Sequence, residues 1–222
     1  MPSSQNYDHL VLLIVALCAY LLATVGTTHH ISKPSPSDTA ATTSTAPVWG
    51  PRTDKATGIS FAATQDFATA KSMTLIGVGT RKKAILNIYS LGVYVAKPLL
   101  QEFTQQHCQA LLSNKKTPRA VQLTFAMGIG PEKIAEAVSG LRNVDVTIRQ
   151  EFHDMLVQGL QGKMLKGESM TFEWKGLDTI SVTARGKKIG TMKHQDLAQG
   201  VLSLYVGPQS VSPSLLQDLK CR

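Results

Sequence analysis

Residues 75–94 constrain this chain more than any other stretch. Leu75-Ile76-Gly77-Val78-Gly79-Thr80 is an apolar, glycine-punctuated run of β type. Ile88-Tyr89-Ser90-Leu91-Gly92-Val93-Tyr94 is a second, and a basic connection led by Arg81-Lys82-Lys83 joins them. We read strands over Met73 to Val78 and Ala84 to Val95. Glycines inside a strand mark a bulge or a close approach by another backbone or a ligand. A guanidinium at the end of such a strand is costly unless it meets an anion. Tyr89 shares parity with Ile85, Leu91 and Val93, which places it on the buried side. A buried phenol needs a hydrogen-bond partner. Arg81 and Tyr89 beside an apolar cavity would suit a carboxylate or phenolate with a greasy body. The plainer alternative makes Arg81 the start of a basic turn and Tyr89 a core residue bonded to backbone.

The chain has 222 residues, and the first fifty-odd do not read as core. Leu10 to Val25 is an uncharged run of sixteen apolar or small residues. It lies near the lower limit for a bilayer span, roughly 17–25 residues as a helix. A secretory signal is the rival reading, but Met1 to His9 holds Asp8 and no Lys or Arg, and the cleavage site is poor. We therefore expect residues 1–30 to hold a membrane anchor at about 10–26, in an organelle or endomembrane. Positive charge follows the span, which sets the domain on the cytosolic or matrix-like side. Cleavage would instead release the domain into a lumen. Residues 31–54, rich in Thr, Ser, Pro and Ala, read as a disordered linker. Residues 55–222 read as one domain.

Within that domain the periodicity predicts a helix over Leu99 to Leu112, a strand over Arg119 to Met127 and a helix opened by Gly130-Pro131-Glu132. That helix would bury Ile134, Ala137, Val138 and Leu141. A second amphipathic helix spans Ile148 to Leu160. Ser169 to Trp174 and Thr179 to Ala184 form a hairpin, with Phe172 and Trp174 in the core and Glu168 and Glu173 on the surface. Thr191 to Val206 reads as mostly helical, and a short helical tail begins near Pro213. Strands grouped with helices, without regular βαβ alternation, argue an α+β fold with an antiparallel sheet.

The net charge is +8. The cations cluster in short groups, Arg81-Lys82-Lys83, Lys115-Lys116 with Arg119, and Arg185 with Lys187-Lys188, each read as a turn. Such loops are solvated or drawn to anionic membrane surfaces. Nucleic acid is not indicated, because no basic stripe is interleaved with aromatics. The three cysteines form no Cys-x-x-Cys and the histidines no ligand spacing, so no metal is expected. No Gly-x-Ser-x-Gly elbow or phosphate loop is present, and no cofactor is indicated.

The paired segments resemble the chalcone isomerase-like superfamily, where a glycine-rich strand ends in Val-x-Arg and the next reads roughly Tyr-x-x-Gly-Val-Tyr. Lys166-Gly167-Glu168-Ser169-Met170-Thr171-Phe172 is similar to the family's Gly-Glu-x-x-x-Phe strand. Leu197 to Gly207 and Val211-Ser212-Pro213 are similar to its C-terminal helix and closing loop. The resemblance implies an open-faced β-sandwich covered by helices, with Arg81 as the anion contact. It also divides the possible functions. Flavonoid-forming members typically have Thr where this chain has Tyr89, whereas fatty-acid-binding members typically have Tyr. The catalytic members carry a tyrosine just after the third strand, and Ala126 to Ile134 (AMGIGPEKI) has none. The resemblance thus favours a non-catalytic domain binding a fatty acid or similar amphipathic carboxylate, with Arg81 and Tyr89 as ligand contacts. The alternatives are an intramolecular lyase acting on chalcone-like substrates and a membrane-anchored interaction module with a vestigial pocket.

Overall fold

The two glycine-punctuated runs pair as a hairpin in the computed structural model of the protein, which describes residues 49–101 and 107–220 (backbone only at 101 and 107–109). In chain order the elements are β1 (Arg52–Thr53), β2 (Ser60–Phe61), β3 (Thr64–Gln65), β4 (Met73–Lys83), β5 (Leu86–Val95), α1 (Lys97–Gln101) and α2 (His107–Ser113). They continue with β6 (Arg119–Phe125), α3 (Pro131–Ser139), α4 (Val146–Leu160), β7 (Ser169–Trp174), β8 (Thr179–Ala184), β9 (Lys187–Lys193), α5 (Gln195–Val206) and α6 (Pro213–Asp218). Strands β3 to β9 make one seven-stranded sheet in chain order, each neighbouring pair antiparallel. The short ribbon β1–β2 stands apart from it.

One face of the sheet is covered by helices. Leu91, Val93, Val121, Leu123, Phe172, Trp174 and Val182 point into a core completed by Leu156 and Leu160 of α4, Val201 and Tyr205 of α5, and Leu215 of α6. The Trp174 indole donates to the Ala198 carbonyl at 2.8 Å and fixes α5 to the sheet. The opposite face carries a smaller cluster around Phe61, Phe67, Leu75, Val78 and Tyr94. Beyond that cluster it bears the polar Gln122, Thr171 and Thr183, as an open face would.

Local chemistry explains several boundaries. Pro131 opens α3, where its missing N–H costs nothing. Asp145 caps α4 by accepting from the Thr147 amide. Other boundaries depart from the sequence reading. Strand β4 continues through Arg81 to Lys83, so Arg81 lies within the strand and not at the start of a turn. The helix expected over 99–112 is two stretches, with residues 102–106 outside the described part. Ala137 faces solvent, and Ala135 takes its place in the apolar stripe of α3. Residues Thr191–Lys193, read as helical, end the edge strand β9. Its hairpin turns through Arg185 and Gly186, with φ of 50° and 73°, the geometry of a tight two-residue loop. Lysines at both ends of β9 suit an unpaired edge.

Three charged residues also move. Arg119 is not part of a loop but 1% exposed, donating to the Asn114 and Gly176 carbonyls at 2.7 and 3.0 Å. Burial lowers its pKa to about 10. Glu173 is not on the surface but 2% exposed, and accepts from the Thr69 amide at 2.8 Å. Asp54, expected in the linker, is buried at the centre of a hydrogen-bond cluster, so ordered structure begins ahead of residue 55. The anchor expected at 10–26 and the linker up to residue 48 lie outside the described residues. No helix among the described residues is long and apolar enough to cross a membrane.

Candidate functional site

A register shift between Leu75 and Gly77 sets the phase of β4. Beyond it, Val78 and Thr80 turn to the open face, whereas Gly77, Gly79 and Arg81 turn to the helix-covered face. The two glycines are required by a helix. A Cβ on Gly79 would lie 2.6 Å from the Leu215 Cβ and amide nitrogen, and one on Gly77 would lie 2.5 Å from Leu219. The close approach foreseen from the glycines is therefore made by α6.

Arg81 pairs directly with Tyr89 across the β4–β5 ladder, and both side chains lie on the helix-covered face. Half-buried Arg81 donates from Nη1 to the Val211 carbonyl at 3.1 Å. No Asp or Glu among the described residues pairs with it. Tyr89 keeps part of its ring open to solvent, packs edge-on against Phe125 with ring centres 5.8 Å apart, and sets its phenol end deep in the protein. Burial pushes that phenol up to about 12, against the opposing effects of the Arg81 charge and the neighbouring Tyr205 hydroxyl. Leu91 follows Tyr89 into the helix-covered core. Ile88 is one residue out of phase and belongs to the other face, and Ile85 is 94% exposed at the hairpin tip, so neither shares the side of Tyr89.

Sequence reasoning missed Tyr205. It is 1% exposed on α5 and stacks obliquely on Phe172 with ring centres 5.8 Å apart. Its hydroxyl lies close enough to that of Tyr89 for the two phenols to influence each other. Burial first, and then the neighbouring Tyr89, hold its phenol well above the usual range, while Arg81 acts the other way. A phenol both donates and accepts, so Tyr89 can accept from Tyr205 and still turn its own O–H toward an anion. The only sequence signal for Tyr205 was its spacing, since Leu197, Val201 and Tyr205 recur every fourth residue on one helix face.

Behind this pair, on the open face, Thr80 and Ser90 also stand opposite each other. Both donate to Asp54, at 2.6–2.8 Å from Thr80 and 2.5 Å from Ser90. The Thr57 hydroxyl and Ala56 amide complete the shell. Burial would raise the Asp54 carboxyl, but the hydrogen bonds from Ser90, Thr80, Ala56 and Thr57 outweigh it and hold the group below the ordinary carboxylate value. Asp54 thus pins both strands at the level of Arg81 and Tyr89. Tyr94 plays no part at this site. It is buried in the open-face cluster and donates to the Ala62 carbonyl at 3.2 Å.

Among the described residues, cavities lie elsewhere. One of about 560 Å³ opens between Gly140–Val144 and α5, one of about 440 Å³ on the open face beside Gln122 and Glu173, and one of about 500 Å³ beside Asn114–Pro118. Next to the Arg81–Tyr89 pair, Leu215 of α6 closes on Gly79, and Tyr205 of α5 belongs to the same core cluster as Tyr89.

Helices folded onto one face of an antiparallel sheet, with a guanidinium and a phenol paired on adjacent strands beneath them, define an α+β domain of open-faced sandwich type. The chain belongs to the chalcone isomerase-like family, whose model matches residues 53–219. Its fold is also that of a fatty-acid binding protein from Arabidopsis thaliana, with a TM-score of 0.60 at 19% identity, covering 76% of this chain and 95% of the other. No curated protein sequence matches the chain.

Proposed function

We propose that the domain binds a fatty acid or similar amphipathic carboxylate and does not transform it. Arg81 pairs with the carboxylate and Tyr89 donates a second hydrogen bond, while the apolar tail lies along Leu91 between sheet and helices. One observation carries this reading: Arg81 is half-buried beside a phenol and lacks an acidic partner among the described residues. The fatty-acid binding described for the Arabidopsis protein of the same fold supports it. Native mass spectrometry of the full chain, gently purified, tests it. A co-purifying carboxylate of fatty-acid mass, absent from Arg81→Ala, is the expected result. Identical spectra from both proteins would refute the assignment.

A second reading, an interaction module whose pocket has closed, draws on the packing. Tyr205 already engages Tyr89, and α6 lies on Gly77 and Gly79. The two readings separate on addition of oleate. Binding requires the loop at Val211 and the Tyr205 ring to give way, and the resonances of both residues should shift, whereas a closed pocket leaves them unchanged. We further propose that Leu10 to Val25 anchors the domain to a membrane. Carbonate extraction should then leave the full chain in the pellet, and deletion of residues 1–30 should release it.

A further inference from the structure

Four large apolar residues among the described ones are exposed, and three lie at one end of the sheet. Ile85 is 94% and Leu86 52% exposed at the tip of the β4–β5 hairpin, and Leu165 is 55% exposed on the loop entering β7. The two segments are neighbours across the end of β6: Ala126 donates to the Ile88 carbonyl, and Gly167 to that of Phe125. Lysines surround the apolar tips. Lys82 and Lys83 precede Ile85, Lys163 and Lys166 flank Leu165, and Lys187 and Lys188 stand at the β8–β9 turn of the same sheet end, all exposed. The one acidic residue in these three segments, Glu168, is already paired with Arg185 at 2.8 Å.

The hairpin tip also opposes ordinary turn chemistry. Lys83 pairs with Leu86, leaving a two-residue loop of Ala84 and Ile85. Such loops favour Asn-Gly, because positive φ is strained for a residue with a side chain. Here Ala84 adopts φ 51° and a large β-branched residue follows, pointing into solvent. Neither folding nor solubility gains from that choice. The opposite end of the sheet carries Lys115, Lys116, Lys175 and Lys193 but none of the exposed large apolar residues. Positive charge alone therefore does not distinguish the two ends.

We infer that the Lys82–Leu86 hairpin tip and the Lys163–Lys166 loop form a docking surface for an anionic lipid bilayer. The lysines attract the headgroup phosphates and the three apolar side chains enter the interfacial region. Nucleic acid would use the lysines but would leave Ile85, Leu86 and Leu165 without a role, since none offers a ring on which a base stacks. Arg81 lies two ladder positions from the Lys83–Leu86 pair, so the surface presents the candidate ligand site to the membrane. The docking does not depend on the fatty-acid reading, and either can fail alone.

Hydrogen exchange of the full chain, with vesicles of phosphatidylcholine with and without phosphatidylglycerol, tests this locally. The N-terminal apolar run contributes equally to every comparison. Peptides covering 82–87 and 163–167 should become protected on phosphatidylglycerol vesicles, and those covering 114–117 and 175–178 should not. In Lys82→Ala/Lys83→Ala the lipid concentration for half-maximal protection should rise by about 30-fold. Ile85→Asp, at a solvent-exposed position that leaves the fold intact, should also weaken the protection. Equal protection at both sheet ends, protection unaffected by these variants, or the same protection by single-stranded RNA would each overturn the proposal.

Discussion

Arg81 and Tyr89 are cross-strand partners on the helix-covered face, and directly behind them Thr80 and Ser90 are partners on the other face. The ligand candidates and the Asp54 cluster therefore share two adjacent rungs of one ladder. That arrangement gives substitutions on the two faces separable consequences.

On the helix-covered face, Arg81→Ala should weaken fatty-acid binding by roughly 10- to 150-fold. A hydrogen bond to a charged group is worth about 1.5–3 kcal/mol and tenfold corresponds to about 1.4 kcal/mol. Arg81→Lys should restore only part, because lysine lacks the planar fork. Lys82→Ala is the control. Titration of each variant with oleate checks the order, and equal losses at 81 and 82 would reduce the effect to diffuse surface charge.

Tyr89→Phe should cost less than Arg81→Ala, about 0.5–1.5 kcal/mol of binding. In the proposed complex the Tyr205 hydroxyl makes no hydrogen bond of its own to the carboxylate, so the double variant Tyr89→Phe/Tyr205→Phe should bind no worse than Tyr89→Phe alone. A double-mutant cycle measures this, and additivity would show that the phenols act separately. The pair also sets alkaline behaviour. Folded pKa values above the ordinary 10 mean that the neutral phenols contribute stability fully present below pH 10. That stability is lost as pH rises toward 12. Urea melts across pH 9–12 should flatten in the double variant.

On the open face, Asp54→Asn should destabilise the domain by about 1.5–3 kcal/mol, because the amide cannot accept from the whole hydroxyl set. Because the folded pKa is depressed, the stability Asp54 supplies is present above about pH 4 and lost as pH falls below it. Thermal melts at pH 7 and pH 3 should differ less in the variant than in the parent. Oleate affinity per folded molecule should survive better than in Arg81→Ala.

Chalcone isomerase activity should be absent or very weak. By its resemblance to the family, Tyr89 stands where flavonoid-forming members typically have Thr, and residues 126–134 offer no tyrosine. The purified protein should add little to the spontaneous cyclisation of a 2′-hydroxychalcone. A clear acceleration abolished by Arg81→Ala would promote the lyase reading instead.

Alternation of side chains along β5 is a local property, so the placing of Tyr89 on the face of Leu91 and Val93 was legible before the fold was known. So was the demand for small residues at Gly77 and Gly79, although what presses on them was not. The meeting of Tyr205 with Tyr89, and the burial of Asp54 and Arg119, were illegible for a common reason. Each is defined by partners distant in sequence: Asp54 by Thr80 and Ser90, Arg119 by the Gly176 carbonyl. A polar residue in a Pro/Ser/Thr-rich or lysine-rich stretch gives no local sign of burial. β9 was hidden because an edge strand guarded by lysines has the composition of a loop.

The outer edge of β4 has one more consequence. Strand β3 pairs only with its first two residues. Farther along, α6 takes over: Val78 donates to Asp218, Thr80 donates to Ser214, and Ser212 donates to the Thr80 carbonyl. The seal and the strand are 132 to 140 residues apart. At about 5–20 residues per second of synthesis, roughly 7 to 28 s separate them on the ribosome. A growing chain thus carries an uncovered strand edge throughout that interval, and safety from edge-to-edge association arrives only with α6. Nascent chains of this protein should engage holdase chaperones from the emergence of β4 until α6 clears the exit, and slower translation should deepen that dependence.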